Sequence, residues 1–273
     1  MAYSFKKRAA QAGIYQEGPI FMTIPLQTKI IYGPLESRRL GRSLGVNLLP
    51  SIQKLCTFDC LYCQYGDTRK LGVAKFPSLK QIEEETDAAF SYVKAKSIKI
   101  DWITFSGNGE PTIYPDFPSV VEILLCLRDK YLYEIPIGIL SNSSTCHRPE
   151  IRQSLMKLDG RFMKLDAGLS KTYQALNKPT DPRSWDPMIQ GLQSLHRIVL
   201  QSLFVTGRID NTSDKEIDQW IKLIKTIKPE GVQVYTIQRK PEHTDVLPVS
   251  QEKLRAITTR VLDETHISAF IYD

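Results

Sequence analysis

The sequence predicts an α/β protein built on a sheet of parallel strands, and two observations support this fold class. First, six apolar segments of strand length recur along the 273 residues, mostly as the near-continuous apolar runs typical of strands covered on both faces. Second, amphipathic helical patterns lie between them, and such alternation gives a parallel sheet that is either open or curled into a partial barrel. The predicted strands cover residues 43–49, 98–106, 135–142, 162–167, 199–207 and 232–238.

Serine residues mark the start of three predicted helices. Ser78 with Gln81, and Ser213 with Glu216, fit the capping box, in which the serine side chain and the side chain three residues later bond each other's backbone N–H groups. Ser250 begins a last amphipathic helix. In a sheet of this kind, functional groups lie at the carboxyl ends of the strands and in the loops that follow them.

Composition and charge narrow the class of protein. A hydrophobic content of 42% and a charged content of 24% are ordinary for a globular protein. The longest apolar runs, such as residues 120–127, are too short to cross a bilayer. No apolar signal segment follows the basic N-terminus, so we expect a cytoplasmic protein that has no membrane association. The net charge of +6 favours the approach of an anionic substrate but does not by itself indicate nucleic acid.

Three of the five cysteines, Cys56, Cys60 and Cys63, lie close together in the loop after the first predicted strand. An odd number of cysteines in a chain without a secretion signal disfavours a disulfide framework and favours a metal or redox role. Cys126 lies in an apolar helical run and is expected to be a buried small hydrophobic residue. Cys146, after the third predicted strand, is a further candidate for a substrate or redox role.

The spacing of these cysteines leaves two kinds of metal site open. A structural zinc site needs a fourth ligand, which a second Cys-x-x-Cys pair normally helps to supply. The sequence has no such pair, and its four histidines form no motif with one another. A cubane iron–sulfur cluster bound by only three cysteines instead leaves one iron open to a cofactor or substrate. We therefore favour the iron–sulfur site, with a zinc-stabilised nucleic-acid-binding module without catalysis as the alternative.

The pattern Cys56-x-x-x-Cys60-x-Tyr62-Cys63 resembles the signature of the radical S-adenosylmethionine (SAM) superfamily. The resemblance implies a partial (β/α)6 barrel with parallel strands, in which three cysteines hold a [4Fe–4S] cluster whose remaining iron binds SAM. It also implies reductive cleavage of SAM to a 5′-deoxyadenosyl radical, which abstracts hydrogen from a substrate. Tyr62 is then expected to lie at the cofactor. We expect the electron to come from a separate donor of the flavodoxin or ferredoxin type, because no flavin domain accompanies the motif.

The segment after the second predicted strand contains further expected cofactor-binding residues, Gly107, Asn108, Gly109 and Glu110. Glycines let a backbone approach a ligand closely, and the Glu110 carboxylate can accept hydrogen bonds from an ammonium group. In the superfamily that the sequence resembles, a Gly-Gly-Glu-like segment at this place holds the amino group of the methionine moiety. The alternative is a Gly-Asn turn with a solvated glutamate.

Polar residues after the later strands complete the expected cofactor site. Ser141 and Asn142 suit the hydroxyl groups of a ribose, and the superfamily has similar residues at this point. Asp166 and Arg208 are expected to contact the ribose or the carboxylate, with surface ion pairing as the alternative. In the last predicted strand, Tyr235 is a candidate for packing beside the adenine, with core packing as the favoured explanation.

Three arginines, Arg38, Arg39 and Arg42, precede the cysteine loop. Their planar guanidinium groups suit a carboxylate or phosphate, whereas a solvated turn that pairs with nearby acids is the alternative. The Ser-Arg-Arg-Leu-Gly element, the cysteine loop and the Gly-Asn-Gly-Glu-Pro-Thr segment are together similar to a group distantly related to the wyosine-forming tRNA enzymes. RNA base modification is therefore the favoured substrate hypothesis, ahead of peptide modification.

The same comparison suggests a division of the chain. Residues 1–30 form an N-terminal extension, residues 31–240 a radical SAM core, and residues 241–273 a C-terminal helix and strand that pack on the core. The sequence departs from the wyosine enzymes in having no second three-cysteine set and no lysine that matches a pyruvate-binding role.

Overall fold

The computed structural model describes residues 24–68, 75–238, 243 and 245–272, and in these residues a nine-stranded β-sheet forms the centre of the fold. The strands are β1 (Ile31–Ser37), β2 (Gly41–Val46), β3 (Trp102–Phe105), β4 (Ile137–Ser141), β5 (Gly160–Lys164), β6 (Ile198–Gly207), β7 (Gly231–Thr236), β8 (Val246–Pro248) and β9 (Ala269–Tyr272). Eight strands follow the order β1-β2-β3-β4-β5-β6-β7-β9, and β8 pairs with β6 beside that path. The β1–β2 and β6–β8 pairs are antiparallel, whereas the other pairs are parallel.

Strands β2 to β7 correspond to the six strands that the sequence predicts, with boundaries that differ by a few residues. The helices are α1 (Leu79–Ala95), α2 (Phe117–Tyr131), α3 (Pro149–Lys157), α4 (Ser170–Asn177), α5 (Trp185–Gln193), α6 (Asp214–Ile227) and α7 (Gln251–Thr265). The predicted capping box of α1 is confirmed, because the Ser78 side chain accepts from the Gln81 N–H and the Gln81 side chain accepts from the Ser78 N–H. Ser250 caps α7, since its Oγ accepts from the N–H of Lys253 at 3.3 Å.

Alternating side chains place an apolar layer on each face of the sheet. On the outer face, Leu200 and Val232 pack with helix residues such as Trp220 in one large core cluster. On the inner face, Phe162 and Val199 belong to a separate small cluster. A mostly parallel sheet with its helices packed on the outer face and side chains enclosed on the inner face is a partial barrel, which confirms the predicted fold class.

Other parts of the sheet lie outside the six predicted strands. The sequence does not predict β1 or β8, whereas β9 lies in the segment predicted to hold a C-terminal strand and extends the sheet by pairing with β7. Residues 1–23 of the predicted N-terminal extension lie outside the described residues. The backbone N–H of Ile24 donates to the carbonyl of Gln64 at 2.6 Å, so the segment before β1 contacts the cysteine loop. The division of the chain into three parts stays a prediction.

Glu216 has a different role from the one predicted. Ser213 does cap α6, but the Glu216 carboxylate does not return to the Ser213 backbone and instead accepts from the backbone N–H groups of Gly168 at 2.6 Å and Leu169 at 3.0 Å. It also accepts from the Thr172 hydroxyl at 2.8 Å. These donors lie at the start of α4, where Leu169 offers no capping side chain. The capping-box prediction is therefore wrong for Glu216, which caps a neighbouring helix.

Cys126 is exposed on α2 and not buried as predicted. The buried face of α2 contains Phe117, Val121 and Leu124, among others. Cys126 lies about 200° around the helix from Leu124, because successive helical residues are about 100° apart. In the part of the chain that the structure describes, no helix is long and apolar enough to span a membrane.

Replacing Glu216 with alanine is expected to lower the free energy of unfolding by about 2 kcal/mol or more, because buried N–H groups of Gly168 and Leu169 lose their acceptor. Ser213→Ala removes one exposed cap and is expected to cost about 1 kcal/mol. Urea unfolding monitored by circular dichroism measures both. The matched control is Glu252→Ala, an exposed glutamate in the first turn of α7, with a change within about 0.5 kcal/mol. Equal losses at Glu216 and Glu252 would contradict the capping of α4.

Candidate active site

The loop that contains the three cysteines follows β2 and is held by backbone hydrogen bonds on two sides. On one side, the N–H of Leu55 donates to the carbonyl of Asn108 at 2.8 Å and the N–H of Glu110 donates to the carbonyl of Leu55 at 3.2 Å. On the other side, the N–H of Asp59 donates to the carbonyl of Asn177, the last residue of α4, at 2.9 Å. The loop is thus fixed between the segment after β3 and the end of α4, at the carboxyl edge of the sheet.

The three cysteines are each partly exposed, and two of their sulfur atoms accept hydrogen bonds from asparagine side chains. The Nδ2 of Asn142 lies 3.4 Å from the Sγ of Cys56. The Nδ2 of Asn177 lies 3.4 Å from the Sγ of Cys60. Hydrogen bonds to sulfur are among the features that tune a cysteine-ligated cluster. Cys63 completes the set, held by a bond from its N–H to the carbonyl of Cys60 at 2.9 Å.

Burial and nearby acids raise the pKa of two of the thiols, Cys56 and Cys60. Burial raises the pKa of Cys56 to about 12, and the negative charge of Glu110 adds to the effect. Burial raises the pKa of Cys60 to about 11, where the nearby Asp166 carboxylate also acts to raise it. Because metal ligation requires the thiolate, loading of a metal centre on these cysteines releases protons. Lys54 supplies a buried positive charge in the same loop.

The two kinds of metal site place different demands on the cysteines. In the described residues, no three His, Cys, Asp or Glu side chains are arranged to hold a single metal ion. A zinc ion requires its ligands to converge within about 2.3 Å of one point. In a cubane cluster, by contrast, each cysteine binds a different iron atom, so the sulfur atoms stand farther apart. Three thiols presented by one loop at the carboxyl edge of the sheet are a donor set that suits three irons of such a cluster.

Two glycines bring the segment after β3 close to the cysteine loop. Gly107 and Gly109 have φ angles of +128° and +142°, which side chains other than hydrogen rarely allow. A Cβ on Gly109 would lie 1.8 Å from the carbonyl oxygen of Leu55, and one on Gly107 would lie 2.6 Å from the Oδ1 of Asn47. The sequence predicts a close approach of these glycines to a cofactor. The close approach that the structure shows is to the chain itself.

Asn108 has its side chain fully engaged with backbone groups. Its Oδ1 accepts from the N–H of Gln27 at 2.7 Å, and its Nδ2 donates to the carbonyls of Gln27 and Pro50, each at 2.9 Å. The side chain is completely buried. Asn108 therefore joins the segment before β1 to the start of the cysteine loop. Its predicted contact with the cofactor stays a prediction.

Glu110 is an internal acceptor that connects the ends of β3 and β4. Its Oε1 accepts from the hydroxyls of Thr112 at 2.6 Å and Ser141 at 2.9 Å, and its Oε2 accepts from the N–H of Asn142 at 2.5 Å. Burial raises the pKa of Glu110, and these hydrogen bonds oppose the rise. The carboxylate fixes Ser141 and Asn142, the two residues predicted to contact a ribose, next to the cysteine loop.

A second buried carboxylate, Asp166, organises the opposite flank. Tyr62 donates its hydroxyl hydrogen to Asp166, and the Nδ2 of Asn177 lies 2.8 Å from the same oxygen. The Nζ of Lys164 lies 3.0 Å from the hydroxyl of Tyr62 and 3.4 Å from Asp166. Burial and the charge of Asp166 raise the pKa of Tyr62 well above its ordinary value. Asp166 thus holds Tyr62, beside Cys63, together with Asn177, the donor to Cys60.

Sequence reasoning missed Lys164 and Asn177. Lys164 has one available signal, because it stands two residues before Asp166 and alternate residues of an extended strand point to the same face. Asn177 has none, because it lies at the end of α4 and reaches Cys60 only through the fold. Cys146 is buried in the main core cluster, with its Sγ 3.6 Å from the carbonyl of Met188, so packing accounts for it.

The predicted arginines lie in different surroundings. Arg208 forms a surface ion pair with Asp245 at 2.5 Å, and Arg42 forms one with Glu36 at 3.2 Å. Arg39 turns inward, with its guanidinium carbon 4.8 Å from the centre of the Tyr235 ring. The remaining arginine, at position 38, is exposed. The guanidinium of Arg39 therefore lies on the inner face of the sheet.

Comparison with protein families assigns the chain to a class. Residues 51–227, more than half of the chain, match the family model of the radical SAM superfamily. The protein therefore belongs to the radical SAM superfamily. This membership confirms the resemblance carried by Cys56, Cys60 and Cys63. Members of the superfamily use an iron–sulfur cluster and SAM, which disfavours the zinc-stabilised binding module.

Two relatives cover most of this chain. The chain is 29% identical over 247 residues to a UPF0026 protein of Methanocaldococcus jannaschii, and the alignment covers 87% of this chain and 74% of that protein. It is 32% identical over 235 residues to a protein named GTPase Obg of Brachyspira hyodysenteriae, covering 84% of this chain but 33% of that protein. The chain thus spans about a third of this second relative. The sequence of the present chain contains no Gly-x4-Gly-Lys-Ser/Thr phosphate-binding loop, so the GTPase name is not carried over to it.

A solved structure supports the fold. TYW1 with a lysine–pyruvate adduct bound matches with a TM-score of 0.61 at 12% sequence identity, over 82% of this chain and 74% of that chain. At this identity the likeness shows the shared fold alone. It agrees with the partial barrel described above.

Replacing Glu110 with glutamine is expected to lower the free energy of unfolding of the metal-free protein by about 1–3 kcal/mol, because the amide places a donor against a buried donor. Either the N–H of Asn142 or the hydroxyl of Ser141 loses its acceptor. Chemical denaturation measures the change. Glu84→Gln, an exposed glutamate of α1, is the control, with a change below about 0.5 kcal/mol. A stability equal to that of the control would show that Glu110 does not hold the end of β4.

Proposed function

We propose that this protein is a radical SAM enzyme that cleaves SAM reductively at a [4Fe–4S] cluster bound by Cys56, Cys60 and Cys63. The observation that carries the proposal is the placement of three thiols on one loop at the carboxyl edge of six parallel strands. When bound, the cluster and SAM supply a 5′-deoxyadenosyl radical that takes a hydrogen atom from the substrate. The residues of this chain bind, orient and shield those groups.

The side chains around the loop divide the work of holding the cofactors. The three cysteines, as thiolates, bind three irons. Asn142 and Asn177 donate hydrogen bonds to cysteine sulfurs and so adjust their electron density. We assign Ser141 and Asn142 to the ribose hydroxyls and residues 107–110 to the methionine amino group, as the sequence predicts. Tyr62 and Asp166 form the opposite wall.

The electron needs a separate donor, for which we propose a flavodoxin or ferredoxin type of protein. The partial exposure of the three cysteines supports this proposal, because electron transfer requires a short path to the protein surface. Ile52, in the same loop, leaves 79% of its surface exposed. An exposed apolar side chain beside the cluster loop suits a transient protein contact.

Lys164 supplies a positive charge in the proposed site. The related TYW1 structure contains a lysine–pyruvate adduct, and an adduct of that kind requires a neutral amine as the nucleophile. Burial is the largest single influence and lowers the pKa of Lys164, but the Asp166 carboxylate, together with Tyr235 and Cys60, raises that pKa above its ordinary value. Lys164 is thus held as an ammonium ion and serves as a cation. Modification of an RNA base remains the favoured substrate hypothesis from the sequence, followed by peptide modification.

Oxygen-free reconstitution tests the proposal. Protein loaded with iron and sulfide is given SAM and dithionite, and 5′-deoxyadenosine is measured by chromatography. Cys60→Ala is expected to lose the cluster absorbance and the nucleoside product together, because the cluster loses one of its three protein ligands. Cys126→Ala is the matched control, since Cys126 is exposed on α2, and it is expected to retain both. Stoichiometric zinc without nucleoside, or full cleavage by Cys60→Ala, would contradict the proposal.

A further inference from the structure

The turn between β1 and β2 sends two consecutive side chains to the inner face of the sheet. Leu40 is buried in the inner cluster with Phe162 and Val199. Arg39, the residue before it, places its guanidinium over the ring of Tyr235 at 4.8 Å. A charged group and an aromatic ring thus lie on the inner face near the carboxyl ends of the strands, beyond the apolar layer that Leu40 helps to form.

The guanidinium of Arg39 is incompletely satisfied. Its Nη1 is buried and has no hydrogen-bond partner among the described residues, where the hydroxyl of Thr86 is in the same state. A guanidinium has five N–H donors and cannot lose its charge in a protein. Buried polar groups are nearly always paired, and an unpaired charged donor is especially costly. Arg39 therefore presents a donor that an acceptor from outside the chain can satisfy.

A second cation lies on the same face. Lys164 is 19% exposed in its side chain, and its Nζ lies 5.1 Å from the centre of the Tyr62 ring. Its charge is balanced by Asp166, which also accepts from Tyr62, Asn177 and the backbone of β6. Asp166 thus has little capacity left for another cation. Arg39 is close enough to Lys164 that its like charge lowers the pKa of Lys164. This effect is smaller than those of burial and of Asp166.

Phenol groups lie beside the two cations. Tyr235 on β7 pairs in register with Tyr272 on β9, and both are partly buried. The charge of Arg39 also acts on Tyr272, where it lowers the pKa that burial raises. Arg39 is thus near both rings. Two cations, one shared carboxylate and two phenol hydroxyls leave a net positive charge with several hydrogen-bond donors.

We propose that Arg39 and Lys164, with the hydroxyls of Tyr235 and Tyr272, bind an oxyanion, a carboxylate or phosphate, of a small-molecule substrate, in place of the RNA base that the sequence alone favours. A planar guanidinium fork matches such a group with two parallel hydrogen bonds. The assignment to a substrate rests on the proposed radical function, whereas the binding of the anion does not. Lys164 reaches Tyr62, next to Cys63, so the anion lies on the side of the sheet that faces the cluster loop.

Calorimetric titration of the holoprotein tests this site. Cluster-loaded protein with SAM is titrated without oxygen, at constant ionic strength, with malonate and with inorganic phosphate. Binding of at least one probe is expected, and Arg39→Gln is expected to weaken it about tenfold, as for the loss of a charge-assisted pair. Arg39→Lys keeps the charge but not the planar guanidinium. We expect its affinity for the probe to lie between the affinities of the wild type and of Arg39→Gln. Arg42→Gln in the same turn, a surface residue paired with Glu36, is the matched control and is expected to bind as the wild type does.

Each result has a defined meaning. Preference for malonate assigns a carboxylate and preference for phosphate assigns a phosphorylated substrate, and both support the site. Should Arg39→Gln misfold, Tyr272→Phe, which keeps the ring and removes one donor, is expected to weaken the same probe several-fold. Equal binding by the wild type and both variants, or no binding of either probe, overturns the site.

Two further titrations distinguish a small-molecule anion site from a SAM-binding site and from an RNA-binding site. If Arg39→Gln instead weakens the binding of SAM itself, the cations belong to the cofactor and the inference is overturned. If a short RNA binds in an Arg39-dependent manner while neither probe binds, the small-molecule assignment fails in favour of RNA. A wild type that binds a probe but forms no 5′-deoxyadenosine would overturn the proposed function and leave the anion site in place.

Discussion

The placement of the three thiols depends on backbone hydrogen bonds to two neighbouring segments, because the cysteine loop contains no helix or strand in its described residues. Buried N–H and C=O groups need partners, and the ends of β3 and α4 supply them. Gly109 makes the first of these contacts possible, since any Cβ there would overlap the carbonyl of Leu55. The thiols therefore keep their mutual arrangement only while both segments stay in register with the loop. Glu110 and Asp166 hold those two segments.

Local signals in the sequence are sufficient for the barrel strands, the serine caps and the cysteine pattern. Each depends on residues near one another in the chain, such as an apolar run or a serine three residues before a backbone donor. Local signals do not predict the exposure of Cys126, because α2 is apolar along its length and its composition does not reveal which face turns outward. β1 contains Gly33 and Pro34, which are typical of a turn, so the sequence does not predict a strand there.

The roles of the buried acids could not be predicted, because their partners are distant in the sequence. Glu216 meets the N–H of Gly168, 48 residues away, and Asp166 meets Tyr62, 104 residues away. A single sequence does not show which helix start lacks a cap. Glu110 has the position expected of a cofactor ligand, yet its oxygens accept from three residues of its own chain. The buried donors of Thr112, Ser141 and Asn142 need these acceptors, just as an ammonium group of a ligand would.

The positive charge on the inner face is unevenly distributed. Asp166 neutralises Lys164 next to the cysteine loop, so the excess positive charge lies at Arg39, which enters from the β1–β2 turn. An anionic group attracted to Arg39 leaves the rest of its molecule to extend toward Tyr62 and the loop. Hydrogen abstraction depends on holding one C–H bond near the radical, and a charged anchor at a fixed distance provides that orientation. The arginine would then determine which carbon atom reacts without touching it.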